Sequence, residues 1–335
     1  MLGFVIRRLL LVIPTLIGVA IAVFFLIRVM PGDVVVVKLR ADGAQVSEEA
    51  IQAERKRLGL DKPVFLWECK SYLPPSGCVV SANNQFTDYI VGLTKLDLGR
   101  SLWTGESVAR EIALRFPVSF QVAIMATLIA VFIAIPLGTI SAVYRDTWVD
   151  NVIRVLAVSG LAIPGFWLGM LIILALLAFF NWLPKIGYVS IFDDPIANLS
   201  ALIWPALSVG YRYAAVVTRM MRSALLEVMR EDYIRTARAK GVFQKLVVRR
   251  HAVRNALLPV VTVVGLEFAF LIGGLVVTEQ VFNLNGIGKL FVDATTRGDF
   301  TLIQGLVLLI ATIFVLVNMI VDIIYAMLDP RIRLN

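Results

Sequence analysis

The sequence predicts an all-α polytopic membrane protein with six transmembrane helices and a small extracytoplasmic domain between spans one and two. Three observations predict it. Of 335 residues, 59% are hydrophobic and only 17% charged, and mean hydropathy is +0.84. Soluble domains run nearer half apolar and a quarter charged, so the excess apolar side chain must face lipid. Apolar runs close to the roughly 20 residues needed to cross a bilayer occur six times. Lys and Arg concentrate between alternate runs, as the positive-inside rule requires.

The first run covers residues 9–27. Arg7 and Arg8 precede it, and Ala20-Ile21-Ala22 matches a signal cleavage site. Apolar sequence continuing through Phe24, Phe25 and Leu26 is too long for a signal peptide core, so this is read as an uncleaved span. The second run is 120–143, and the third lies in the second half of 152–180. The fourth is 199–218, the fifth 257–277 and the sixth 302–325. Pro136, Pro164 and Pro205 sit inside or beside these runs, where a proline either kinks a helix or is absorbed by packing.

Orientation follows the basic residues. Residues 219–254 hold ten Lys/Arg against Glu227, Glu231 and Asp232, whereas the short loops on the other side carry Lys185, then Lys289 and Arg297. Arg7, Arg8, Arg145, Arg154, Arg331 and Arg333 share the side of the basic loop. That side is read as cytoplasmic, with both termini inside. The chain then divides into residues 1–29 (N-terminus and first span), 30–115 (an extracytoplasmic segment) and 116–335 (a five-span core with a cytoplasmic loop at 221–256). Within the outer segment, 45–58 reads as a helix, with Glu48, Glu49 and Glu54 preceding Arg55, Lys56 and Arg57. Cys69 and Cys78 fall in the same segment, separated by a Pro74-Pro75-Ser76-Gly77 turn. An oxidising compartment and a short connecting loop favour a disulfide over two free thiols.

Several function classes are excluded by what is missing. One His and two Cys cannot build a zinc site or an iron–sulfur cluster, and no metal site is expected. An intramembrane enzyme needs a Ser–His or paired-Asp arrangement at depth, but the single histidine, His251, lies in the basic loop. The Gly286-Ile287-Gly288-Lys289-Leu290 run distantly matches a phosphate loop. Asn283 stands at its first glycine position and Leu290 at its Ser/Thr position, so the chain is not read as a nucleotide-binding enzyme. The basic loop is not read as a nucleic-acid binder, because spans flank it on both sides. Arg212, Glu267 and Asp322 fall within or near spans four, five and six. Such charges usually face a bundle interior or water. Glu267 and Arg212 are therefore candidates for lining a translocation path; the alternatives are a surface-seeking Arg212 and a span-end Asp322.

The most informative stretch is 221–260. Leu226, Met229, Tyr233 and Ala237, at spacings of three, four and four, form an apolar stripe on one helix. Glu231 precedes Arg235 by four residues, the favourable order for an intrahelical pair. Gly241 follows Lys240 where a helix takes a left-handed cap. A second helix is expected from Val242 into span five, with Pro259 near the start of that span. This is either a solvated basic loop or an element that docks its apolar stripe into a partner.

Arg235-Thr236-Ala237, three residues and then Gly241 resemble the EAA loop of binding-protein-dependent ABC transporter permeases. Arg235 and Thr236 replace the Glu and first Ala of that name, and Gly241 to Pro259 is longer than in the family at large. Both departures are similar to the peptide-transporter branch, as are DYIRTARAKG at 232–241 and RNALLP at 254–259. Further similarity lies in MPGD at 30–33, LGLDKP at 58–63, LDLGRS at 96–101, RFP at 115–117, VFNLNGIGKLFVD at 281–293 and DPRIR at 329–333. Residues 68–86 look like an insertion that carries both cysteines, and 283–286 replace an aromatic-Pro-Gly turn.

The resemblance implies the first permease subunit of a dipeptide or oligopeptide ABC importer in a bacterial or archaeal inner membrane. It further implies a paralogous permease partner, two cytoplasmic ATPases that bind ATP and magnesium, an extracytoplasmic solute-binding protein, and no cofactor in this chain. ATPase coupling would fall to Tyr233, Arg235, Thr236, Ala237, Arg238 and Gly241. Importers of nickel and other small solutes use similar permeases, so these stay open as alternative substrates.

Overall fold

The computed structural model describes residues 2–29, 34–41, 47–65, 67–68, 71–72, 75–76, 79–80, 83–183 and 188–328. Cys69, Cys78, the motifs at 30–33 and 329–333, and Lys185 lie outside the described residues.

The chain begins with α1 (Leu2–Val29), α2 (Val34–Ala41) and α3 (Glu48–Arg57). A small antiparallel ladder follows: β1 (Trp67–Glu68) pairs β4 (Val79–Val80), and β2 (Ser71–Tyr72) pairs β3 (Pro75–Ser76). Then come α4 (Gln85–Thr94), α5 (Val108–Val143), α6 (Trp148–Ala162), α7 (Gly165–Phe180) and α8 (Pro195–Val228). The basic stretch forms α9 (Asp232–Ala239) and α10 (Gln244–Leu246), then a π-helical segment, Val247–Ala252. The last elements are α11 (Val253–Gly274), α12 (Val276–Val281), α13 (Ile287–Arg297) and α14 (Phe300–Leu328).

Among the described residues, four helices are long and apolar enough to cross a membrane: Arg7–Phe25, Val108–Val143, Gln244–Gly274 and Phe300–Met327. The pair Trp148–Ala162 and Gly165–Phe180, bent by 102°, makes a fifth if it is one span. The bend has a local cause. Ile163 precedes Pro164, whose ring disfavours helical geometry in the residue before it, and Ile163 adopts φ −80°, ψ 121°. Pro136 and Pro205, by contrast, lie inside the unbroken helices α5 and α8. The run expected as span four falls in α8, which is not among the apolar spans. Its 34 residues include Asn198, Ser208 and Arg212 among small side chains.

The chain forms two compact units. One comprises Met1–Pro14, Phe116–Lys289 and Thr312–Asn335, the other Thr15–Arg115 and Leu290–Ala311.

In the first unit, α8 is surrounded by neighbours. Asp194 caps its N-terminus by accepting from the N–H groups of Ile196 and Ala197, and Pro195 opens the first turn. Small residues let the other helices approach it. A β-carbon on Gly138 of α5 would stand 2.7 Å from Met221 Cβ and 2.8 Å from the Thr218 carbonyl. One on Gly160 of α6 would stand 2.8 Å from Ala215 Cβ. Such close approach is how helices associate where lipid supplies no hydrophobic drive. Tyr213, 1% exposed, donates to the Val264 carbonyl at 2.5 Å and ties α8 to α11. Asp322 is ion-paired to Arg8 at 3.1 Å, which gives it a structural partner at a span end.

The second unit has a small core of Val35, Ile51 and Leu102 with Trp103 and Phe300 packed against it. Helix α3 confirms the helical pattern read at 45–58. Ser47 caps it, Glu48 and Glu49 occupy its first turn, and Arg55, Lys56 and Arg57 its last. Lys38 reaches across the core edge to donate to Glu54 Oε1 at 3.1 Å and to the Leu102 carbonyl at 2.5 Å. Burial alone would raise the Glu54 carboxyl, but the hydrogen bonds from Lys38 and Arg57 outweigh it and hold the group below its ordinary value. A carboxylate depressed in the folded state adds stability above its unfolded pKa, and that contribution is lost as pH falls through the folded value. Glu54→Gln should therefore destabilise this unit at neutral pH by about 1.5–3 kcal/mol, the range for a charge-assisted hydrogen bond. The wild-type and variant melting temperatures should converge as the pH is lowered below about 4.

Candidate functional site

The basic stretch is organised as a hairpin at the end of α8. Helix α8 stops at Val228 with Met229 as its cap. Glu231 turns extended, at φ −64° and ψ 147°, and α9 starts at Asp232. This break corrects two expectations. Leu226, Met229, Tyr233 and Ala237 do not form a stripe on one helix, because α8 and α9 are separate and run from different origins. The residue that α9 buries is Ile234, 0% exposed, while Tyr233 is 41% exposed. Arg235 pairs not with Glu231 but with Asp232, at 3.3 Å, because Glu231 lies outside the helix.

The turn after α9 has a definite hydrogen-bond pattern. Gly241 N–H donates to the Arg238 carbonyl at 2.9 Å, and Val242 N–H donates to the Ala237 carbonyl at 3.2 Å. These are the two bonds of a Schellman motif, and Gly241 supplies its left-handed residue at φ +78°. The second helix begins at Gln244, two residues later than expected. Tyr233 Oη accepts from Asn255 Nδ2 at 2.7 Å, which pins α9 to the start of α11. Thr236 Oγ1 bonds back to the Asp232 carbonyl at 2.9 Å. The outer side of the hairpin is left with exposed Arg235, Arg238, Ala239, Lys240 and Gly241, and half-buried Ala237. Beside them Phe243 is 84% exposed. An aromatic ring next to small residues and arginines is the chemistry of a protein interface core.

The part of α8 that leads into the hairpin is tied to its neighbours by an ion pair on a buried carboxylate. Asp150, in the first turn of α6, is 0% exposed. It accepts from Arg222 Nε at 2.8 Å and Arg222 Nη2 at 2.7 Å, from Ser141 Oγ at 2.5 Å and from the Asp146 N–H at 3.0 Å. The carboxylate thus joins the end of α5, the start of α6 and the part of α8 that carries the hairpin. Sequence reasoning missed both partners. Arg222 stood among ten basic residues and Asp150 in a short loop, and nothing local couples positions 72 apart.

A second buried carboxylate, also missed, is Glu279 on α12, 1% exposed. Its Oε1 accepts from Ser119 Oγ at 2.6 Å and its Oε2 from the Lys289 N–H at 2.8 Å. Ser119 Oγ in turn accepts from the Ile287 N–H at 2.8 Å. Burial pushes the Glu279 carboxyl up, against the bonds from Ser119 and the Lys289 and Gly288 N–H groups, which lower it. A β-carbon on Gly286 would collide with this carboxylate, and one on Gly288 would meet the Val276 backbone at 2.7 Å. The glycines of the phosphate-loop-like run therefore make room for the chain's own carboxylate and backbone.

The two path candidates are not brought into an ion pair. Arg212 is exposed on α8 and Glu267 half-buried on α11, and neither has an ion-pair partner among the described residues. Arg212 belongs to the one exposed stripe of the second half of α8, which continues through Arg219, Ser223 and Glu227.

Comparison with known proteins gives the class, the transporter permeases. The model of the family described as "Binding-protein-dependent transport system inner membrane component" matches residues 134–334, and the corresponding N-terminal model matches 1–123. The chain belongs to this family of multi-pass inner-membrane transport components. The glutathione transport system permease protein GsiC of Pectobacterium atrosepticum is 40% identical over 99% of both chains. GsiC of Escherichia coli K12 is 39% identical over the same shares. A solved inward-facing structure of the MetNI methionine ABC transporter matches with TM-score 0.50 and 18% identity, over 65% of this chain and 96% of that one. At that identity the likeness establishes the fold.

Removing one partner of the buried pair leaves an uncompensated charge, which costs about 3–5 kcal/mol. Asp150→Ala should therefore lower the melting temperature sharply and reduce membrane yield. The double variant Asp150→Leu with Arg222→Met should recover most of the loss, because it removes both charges. A double-mutant cycle on purified protein measures the difference.

Proposed function

We propose that this chain is the permease subunit of an ATP-driven importer of di- and oligopeptides. A paralogous permease would form the other half of the path, and two separate ATPases would bind ATP and magnesium. A solute-binding protein would deliver peptide from outside. The observation that carries the proposal is the hairpin: an exposed Phe243 and a small-residue turn at Ala237–Gly241, anchored through Asp150 and Arg222 to α5 and α6. A docking element that is to move helices must be rigidly joined to them. Peptide as substrate is supported by the named cargo of the GsiC relatives, since glutathione is a tripeptide.

In this proposal α8 is the sixth span. Neighbours cover most of its surface, which lets a helix too polar for lipid cross a membrane. Both termini and the hairpin are cytoplasmic, and 30–115 is outside. Arg212 and Glu267, charged and unpaired at depth among the described residues, face the translocation path, where peptide carboxylate and ammonium groups pass. Cys69 and Cys78, both in the outer segment, are proposed to pair as a disulfide because an oxidising compartment and a short connecting loop favour it.

Topology is tested by thiol labelling. After reduction, a membrane-impermeant reagent should label Cys69 and Cys78 in intact spheroplasts, and an engineered cysteine at Gln244 only after lysis. The opposite pattern would remove the hairpin from the ATPase side.

Coupling is tested at Gly241. No atom lies within 4 Å of where its β-carbon would be, so the internal cost of Gly241→Val is the positive φ, about 1 kcal/mol or more. Membrane insertion should be normal. ATPase co-purification should fall, and stimulation of ATP hydrolysis by peptide-loaded binding protein should be lost. A variant that keeps its ATPase and imports glutathione or a dipeptide at the wild-type rate would overturn the coupling role.

A further inference from the structure

A cavity of about 310 Å3 opens between the end of α5, residues 153–161 of α6 and the hairpin-bearing half of α8. One part of its wall is cationic and hydroxylic: Arg154, Arg219, Arg222, Ser141, Thr218 and Ser223. The rest is aliphatic and comes from α6, with Val158 and Leu161 among its members. No charge among the lining residues is acidic. The nearest carboxylate, Asp150, is fully buried behind the wall and already held by Nε and Nη2 of Arg222. That bidentate grip fixes the guanidinium plane and leaves Nη1 without a partner on Asp150. Arg154 is 52% exposed and 3.8 Å from Asp150, with a hydrogen bond to Asn151. Arg219 is exposed and has no ion-pair partner among the described residues. Three guanidinium groups against one consumed carboxylate leave the cavity an excess of positive charge.

The aliphatic wall continues onto an apolar surface. Trp148 is 75% exposed, Val155 67% and Val158 64%, all on α6. Helix α6 runs alongside the hairpin-bearing half of α8, with Asp150 against Arg222 and Gly160 against Ala215. An exposed Trp at the start of a membrane helix is an interfacial anchor.

We infer that this cavity binds the phosphodiester headgroup of an acidic phospholipid, with Arg219, Arg154 and the free edge of Arg222 on the phosphate and an acyl chain along the Val158 side of α6. Basic pockets between membrane helices take such headgroups. Free phosphate would use the same arginines, but it has no use for the aliphatic wall or for the apolar face that continues from it. The inference rests on the topology proposed above only for the leaflet, which would be the cytoplasmic one. Lipid binding itself is read independently of sidedness and transport.

The test uses the purified transporter complex carrying this chain, exchanged into nanodiscs of phosphatidylcholine with or without phosphatidylglycerol, with retained lipid read by native mass spectrometry. Wild type should retain phosphatidylglycerol in preference to phosphatidylcholine. Arg219→Ala should weaken that retention about fivefold, the share of one arginine near an acidic surface. Val158→Trp should block it by filling the apolar side. Arg249→Ala, an exposed arginine outside the cavity, should leave it unchanged. Equal retention in wild type, Arg219→Ala and Val158→Trp would overturn the site. So would an equal loss in Arg249→Ala, which would make the effect general surface charge. Displacement of phosphatidylglycerol by millimolar inorganic phosphate would overturn the lipid assignment.

Discussion

The bidentate contact of Arg222 with the fully buried Asp150 is the constraint on which the working end of this molecule depends. A carboxylate shielded from water is tolerable only when its lone pairs are filled, and here Arg222, Ser141 and the Asp146 N–H fill them. Three helices converge on one group as a result. Helix α8 can then run well beyond the apolar part of the bundle and still present a rigid hairpin. Without the pair, the first turn of α6 would lose its polar tie to the second half of α8.

The same logic, a polar centre closed by several elements, recurs at Glu279. There Ser119 and the Lys289 N–H surround the carboxylate, and Gly286 and Gly288 exist to let the backbone close over it. Between the two centres the helices are held by close approach at Gly138 and Gly160 rather than by large side chains. Lipid cannot drive helix association by hydrophobicity, so packing and internal hydrogen bonds carry it. The two carboxylates serve the fold, whereas Arg212 and Glu267 have no ion-pair partner among the described residues, which is why the proposed function sets them on the path.

Much of the family and little of the site geometry was legible beforehand. The loop motif at 232–241 led to the permease family that the matches over 1–123 and 134–334 then established. The Gly241 cap was legible because a left-handed residue is a local property of the chain. The supposed stripe through Leu226, Met229, Tyr233 and Ala237 was not, because periodicity assumes an unbroken helix and Glu231 interrupts it. Helix α8 contains the run read as span four, yet as a whole it is not among the helices apolar enough to cross a membrane in the described residues, because polar side chains such as Asn198 and Arg212 interrupt it.

The sequence by itself determined the class of molecule. Apolar runs, basic asymmetry and turn chemistry are each written within a window of a few tens of residues, so a one-dimensional reading suffices for them. Tertiary structure alone decided which charges are structural. Asp150 and Arg222 are 72 residues apart, and Ser119 and Glu279 are 160 apart. A salt bridge depends on distance and dielectric, neither of which a charge in a sequence possesses until the helices have packed.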